Sequence, residues 1–125
     1  MTRKPLVKGG VIPFRLAFWT ALAFAVVMAL LPHPPHIPGD PPDKIQHMCA
    51  FAVLSALGAI AYPKAGLARL GAALSALGAA IEFAQMIPAL HRDAQLGDWV
   101  ADTGAILVVL GLVFLLKRRA SSEPA

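Results

Sequence analysis

Residues 99–116 read Trp-Val-Ala-Asp-Thr-Gly-Ala-Ile-Leu-Val-Val-Leu-Gly-Leu-Val-Phe-Leu-Leu, with Asp102 as the one ionisable side chain. Wound as an α-helix at 1.5 Å per residue, 18 residues reach about 27 Å, close to the hydrocarbon thickness of a bilayer. Apolar residues occupy every side of that helix instead of one stripe, so it does not read as a surface helix of a soluble bundle. Working outward, three more stretches have the same character: 14–31 with Arg15 at its start, 45–62 with His47 and Cys49, and 68–87 with Arg69 at its start and Glu82 inside. The expected fold is an all-α membrane protein: one domain, residues 1–125, with four transmembrane helices in an antiparallel bundle.

Composition supports this. Hydrophobic residues make up 58% of the 125 and charged residues 14%, with a mean hydropathy of +0.67. So few charges do not cover the large relative surface of a small soluble globe. Disorder requires the opposite balance, low hydrophobicity and high charge. The net charge of +4 is not a dense basic patch interleaved with aromatics, so nucleic acid is not an expected partner. The single cysteine, Cys49, excludes an intrachain disulfide and reads as a small core residue.

The separators fit four spans. Residues 32–42 contain six prolines in eleven positions, an extended and stiff link. Tyr62-Pro63-Lys64-Ala65-Gly66 is a turn, and Pro88 to Asp98 joins the last two spans. The basic start and Ala21-Leu22-Ala23 have the look of a cleavable signal, but the apolar run continues for eight residues past Ala23. Arg3, Lys4, Lys8, Arg15, Lys64, Arg69, Lys117, Arg118 and Arg119 fall on one side of the membrane, and only Lys44 and Arg92 on the other. Positive residues stay inside. Both termini, including a basic tail at 117–125, are therefore expected in the cytoplasm, and the proline-rich link 32–44 outside.

The residues that do not belong in lipid are the informative ones. Asp43, Lys44 and His47 open the second span; Glu82 and Gln85 lie near the end of the third; Arg92 sits in the last link; Asp98 and Asp102 open the fourth. Asp43 and His47, and Asp98 and Asp102, are four apart, and Glu82 and Gln85 three apart, so each pair shares a helix face. All lie at a similar depth, under the outer surface. Charged groups in a span face the bundle interior or a wet cavity. The plainer reading is an ion-pair lock that pins three helices in register, but one or two pairs suffice for that, and eight residues favour a ligand-binding site. Some have simpler individual readings: Asp43 and Asp98 as N-terminal helix caps, Trp99 as an interfacial anchor, and His33, His36 and His91 as solvated link residues. Small residues recur every fourth position at Gly71, Ser75 and Ala79, and at Ser55 and Ala59, which predicts close helix approach. The hexapeptide Leu-Ser-Ala-Leu-Gly-Ala occurs at 54–59 and again at 74–79.

The polar residues, taken in order, resemble the VanZ-like family of small membrane proteins. The resemblance rests on Asp43-Lys44-Ile45-Gln46-His47 followed by Phe51, on Glu82-Phe83-Ala84-Gln85, and on Arg92, Asp98, Asp102 and Gly104. It covers residues 43 to about 115. Asp102 stands where the family has Asn, and Gly104 comes one residue early, with Ala105 in the glycine's place. The resemblance implies a multi-pass protein of the bacterial inner membrane, in a family named for a link to teicoplanin resistance. It supplies no reaction.

Three functions are open at this stage. In the first, the outer pocket engages a cell-envelope lipid headgroup, such as that of a polyprenyl-phosphate wall precursor, or a glycopeptide, with Lys44, Arg92 and His47 toward phosphate. In the second, the protein is an intramembrane hydrolase or transferase with His47 and Glu82 as the acid–base pair, or with His47, Glu82, Asp98 and Asp102 around a metal. No His-Glu-x-x-His for zinc and no Gly-x-Ser-x-Gly nucleophile elbow is present, so covalent catalysis is not expected, and neither is a metal or other cofactor. In the third, the chain is a structural membrane subunit and the polar layer is only a lock. The oligomeric state is not legible. The orientation has a direct test: a periplasm-active reporter should be silent at the C-terminus and active in the proline-rich link, and the reverse pattern would overturn the topology.

Overall fold

The structure is a computed structural model; it describes residues 10–32, 39, 42–90, 92 and 94–122, apart from the side chains of Asp43 and Ser122. Four helices carry the fold: α1 (Ile12–Leu30), α2 (Asp43–Ala61), α3 (Leu67–Gln85) and α4 (Leu96–Ser122), with a 3₁₀ turn at Pro88–Leu90. All four are long and apolar enough to cross a membrane, the makeup of a multi-pass membrane protein. No strand occurs among the described residues.

Local chemistry sets the boundaries. Pro13 sits in the first turn of α1, where its missing N–H costs nothing. Tyr62 leaves helical geometry ahead of Pro63, and Gly66 precedes α3. The apolar run of the third span extends to Ile87, but α3 stops at Gln85 and the chain tightens into the 3₁₀ turn, because a residue before proline disfavours α geometry. The fourth helix is longer than its apolar run at both ends. It continues through Lys117, Arg118 and Arg119 to Ser122, since lysine and arginine are good helix formers and complement the negative end of the helix dipole. Part of the expected tail is therefore helix; residues 123–125, like 33–38 of the proline-rich link, lie outside the described residues.

The core is Phe18, Ala29, Phe51, Leu54, Ala59, Ala61, Leu74, Ile81, Ile106 and Leu110. In space α2 packs most extensively on α4, α3 on α4 and α1 on α2. Small residues mark the close approaches. A Cβ on Gly58 would lie 3.0 Å from Leu70 and 3.2 Å from Phe18, and one on Gly71 would lie 3.1 Å from Leu110. The repeated hexapeptide places Leu54 and Leu74 at its first position, and Gly58 and Gly78 at its fifth, all four buried. At the far end from the polar residues, Arg15 Nε donates to Ala61 O at 2.9 Å and its guanidinium lies 4.6 Å over the Tyr62 ring. Trp19 Nε1 donates to the Tyr62 hydroxyl at 2.7 Å. A cation thus meets the carbonyl end of α2, where the dipole favours it.

The outside is apolar: Trp19, Phe24, Phe83, Leu107, Leu112 and Phe114 are all exposed. The buried polar residues are Ser55, Gln85, Asp98 and Asp102. Hydrocarbon surroundings dictate that inversion. Cys49 departs from its expected place. It is exposed, because it lies about 160° around α2 from the core residue Phe51 at 3.6 residues per turn. Packing at Gly58 makes a measurable difference: Gly58→Leu should lower stability by about 1–3 kcal/mol through overpacking. Gly104→Leu, where a Cβ meets nothing within 4 Å, should be tolerated. Thermal unfolding in detergent separates the two.

Candidate functional site

The polar residues gather where α2 and α4 begin and α1 and α3 end. Asp102, on the second turn of α4, is 1% exposed. One of its carboxylate oxygens, Oδ2, is 3.7 Å from His47 Nδ1 on the second turn of α2. That is an ion-pair distance, too long for a hydrogen bond. Gly78 lies beside this carboxylate: a Cβ there would be in van der Waals contact, 3.7 Å from Asp102 Oδ2 and 3.4 Å from Phe51 and Trp99. Asp98, one turn earlier and 6% exposed, and Glu82 also act electrostatically on His47.

Three of the other polar side chains end helices. Glu82 Oε2 accepts the Gln95 N–H at 3.0 Å, so α3 places a carboxylate at the N-terminus of α4, where the dipole favours an anion. Gln85 Nε2 donates to Ala29 O at 2.9 Å, and Arg92 Nη1 to Leu31 O at 3.4 Å. These two donors meet carbonyls at the end of α1 that have no intrahelical partner. Lys44 is exposed, with its ammonium 3.6 Å from where a Gly97 Cβ would stand, beside the first turn of α4. Asp43 occupies the first position of α2, but its side chain is outside the described residues, as are His33, His36 and His91.

The bonds leave several buried atoms unpaired among the described residues: His47 Nδ1, Asp102 Oδ1, Glu82 Oε1 and Gln85 Oε1. No three His, Cys, Asp or Glu side chains come together as metal ligands among the described residues, so the four proposed from the sequence are not gathered around one point. Nor do the eight residues line one pocket. A groove of about 300 Å³ runs between α1 and α2, walled by Phe24, Ala25 and Met28 on one side and Ala50 and Val53 on the other. Gln46, His47 and Arg92 line its polar end, and Cys49 its edge. A second groove, about 460 Å³, opens between α3 and the start of α4, and Glu82 is the only ionisable residue in its lining among the described residues. Asp98 and Asp102 are buried between helices and line neither.

Sequence reasoning missed Gln46, the grooves and the bond that Trp99 makes. The indole is half-buried and donates to Ser75 O at 3.0 Å, while Ser75 and Thr103 hydroxyls meet at 2.9 Å. Trp99 thereby ties α3 to α4, with its ring beside Gly78. The small-residue stripe on α3 was the available signal. No family model, curated protein or solved structure matches the chain. The Gln85 bond has a defined worth: Gln85→Met keeps the side-chain volume, leaves Ala29 O unpaired, and should lower stability by about 1–2 kcal/mol, read from the detergent unfolding midpoint.

Proposed function

We propose that the chain is a VanZ-like protein of the bacterial inner membrane whose polar end faces outward and engages the anionic headgroup of a cell-envelope lipid. The observation that carries this is the α1–α2 groove. It has apolar walls that suit a lipid chain, and at one end an arginine and a histidine. Arginine is the side chain best shaped to hold phosphate oxygens in pairs. A polyprenyl-phosphate wall precursor has this makeup, a long hydrocarbon with a phosphate at its end. A role in teicoplanin resistance follows the family resemblance and such a ligand.

An antiparallel bundle with both termini cytoplasmic belongs to the same reading. Support comes from Arg15 near the start of α1 meeting Ala61 at the end of α2, and from Gly71 near the start of α3 lying opposite Leu110, far along α4. The asymmetry of lysine and arginine supplies the direction. A lock is the second reading, and the cap bonds of Glu82, Gln85 and Arg92 favour it. The buried oxygens of Asp102, Glu82 and Gln85 that have no hydrogen-bond partner among the described residues count against a lock alone, because a purely structural network in a low-dielectric interior is stable only when its members are satisfied. Hydrolase or transferase chemistry has weaker support: His47 faces Asp102, but among the described residues no nucleophilic side chain except Cys49 lines the groove that His47 enters.

The test is photocrosslinking in nanodiscs. A diazirine-bearing polyprenyl phosphate should label segments 21–29 and 46–54. Arg92→Ala and His47→Ala should each reduce the yield roughly tenfold, the range of a charge-assisted contact. Labelling spread evenly over all lipid-facing helices, or unchanged in both variants, would overturn the proposal.

A further inference from the structure

Asp102 lines neither groove, but the side chain it faces, His47, lines the α1–α2 groove. The imidazole is 12% exposed, while its Nδ1 is buried and lies 3.7 Å from Asp102 Oδ2. The edge of the ring that reaches the groove is therefore the one that carries Nε2. Nδ1 and the carboxylate oxygen would set lone pair against lone pair unless a proton lay between them, and imidazole is the stronger base, so Nδ1 bears that proton. Two states of the pair remain. With Nε2 bare, the imidazole is neutral and the pair carries the whole negative charge of Asp102. With Nε2 protonated as well, imidazolium and carboxylate cancel.

Burial decides between them. Asp102 is 1% exposed, and its other oxygen, Oδ1, has no hydrogen-bond partner among the described residues. A lone charge in such a place is strongly unfavourable, and a paired one far less so. The surroundings act in the same direction. Helix α4 turns Asp98 as well as Asp102 toward His47, and α3 adds Glu82. The one ionisable residue of α1, Arg15, is at the far end. On α2 itself Lys44 lies one turn away beside Gly97, and Asp43 is a further acid whose side chain is outside the described residues. Arg92 lines the groove and opposes the three carboxylates, with one of its donors on Leu31 O. The link positions outside the described residues, 33–38, 40, 41, 91 and 93, hold no lysine or arginine, so they bring Asp102 no fixed countercharge. We propose that Asp102 is a positioning residue: it holds His47 as an imidazolium whose Nε2–H points into the α1–α2 groove, a donor matched by a ligand acceptor such as a phosphate oxygen. This rests on the reading of that groove as a headgroup site and deepens it. It also takes from His47 the role of general base, because no lone pair is left on the edge of the ring that meets the groove.

Nitrogen-15 NMR reads this state directly. In the full chain in nanodiscs, purified without a histidine tag, labelled histidine with His33, His36 and His91 replaced by Gln leaves His47 as the sole imidazole signal. At neutral pH both of its nitrogens should carry hydrogen, and Asp102→Asn should leave one of them bare. A bare nitrogen with Asp102 in place would overturn the proposal, so it stands or falls even if the Asn variant does not fold. Crosslinking with the diazirine-bearing polyprenyl phosphate separates positioning from mere support of the bundle. Asp102→Asn should lower the yield roughly tenfold, as His47→Ala does, and the double variant should lose no more than either alone. Losses that multiply would mean that Asp102 acts on the groove without His47, and would overturn the proposal. So would a yield that Asp102→Asn leaves unchanged while Arg92→Ala and His47→Ala lower it; the headgroup reading would then survive alone. Labelling spread over all helices beside an intact imidazolium would do the reverse, removing the headgroup reading and upholding the charge state that Asp102 imposes.

Discussion

A carboxylate cannot be left facing hydrocarbon, and Asp102 is a carboxylate on the second turn of a helix whose next four turns are ringed with apolar residues. Turning it inward fixes the rotation of α4. Every fourth residue then follows it: Asp98, Asp102, Ile106 and Leu110 are all buried and form one stripe, polar at one end and apolar at the other. The stripe needs a partner with the same division. Helix α2 supplies it, with His47 opposite Asp102 and Phe51, Leu54 and Ser55 continuing below. Helix α3 closes over the pair with Gly78 beside the carboxylate, where a Cβ would stand in van der Waals contact with it. The remaining residues of α4, Leu107, Val108 and Leu112 among them, are consequently turned outward.

The same constraint explains why polar residues outnumber what one ion pair requires. Helix ends in an apolar medium carry unpaired carbonyls and N–H groups that water does not reach. Gln85 and Arg92 meet those of α1, Glu82 meets that of Gln95, and Arg15 meets the end of α2. Capping and ligand contact are not exclusive for these side chains. Arginine has five donors and a carboxylate two oxygens, so one atom can hold the helix while another faces a groove.

Much of this was legible in the sequence, and for physical reasons. Hydrocarbon thickness sets a minimum run length, so the four helices stand out. Depth, counted at a fixed rise per residue, brought His47, Glu82, Gln85, Asp98 and Asp102 to one end of the bundle. Their division was not legible. Which groove a side chain enters depends on which helices are neighbours, and α2 lies against α4 although α3 follows it in the chain. Cys49 shows the limit of composition: an apolar run has an inside and an outside, and burial cannot be assigned until the rotation of the helix is known. Trp99 shows another, because its bond goes to a backbone carbonyl, a partner that no residue type announces.

Helix α4 has 27 residues, about 40 Å of rod, against 19 residues or about 28 Å in each of the other three. A bilayer accommodates a long helix by tilting it or by letting its end stand in the headgroups. Here the surplus carries Lys117, Arg118 and Arg119, which bind anionic phosphates and resist being drawn into hydrocarbon. The rod is therefore moored at its basic end, and the Asp98–Asp102 stripe rides near the other. A helix is stiff along its axis. In a membrane that thins or thickens, the displacement that cannot be taken up at the mooring is delivered to the carboxylate end, between the two grooves.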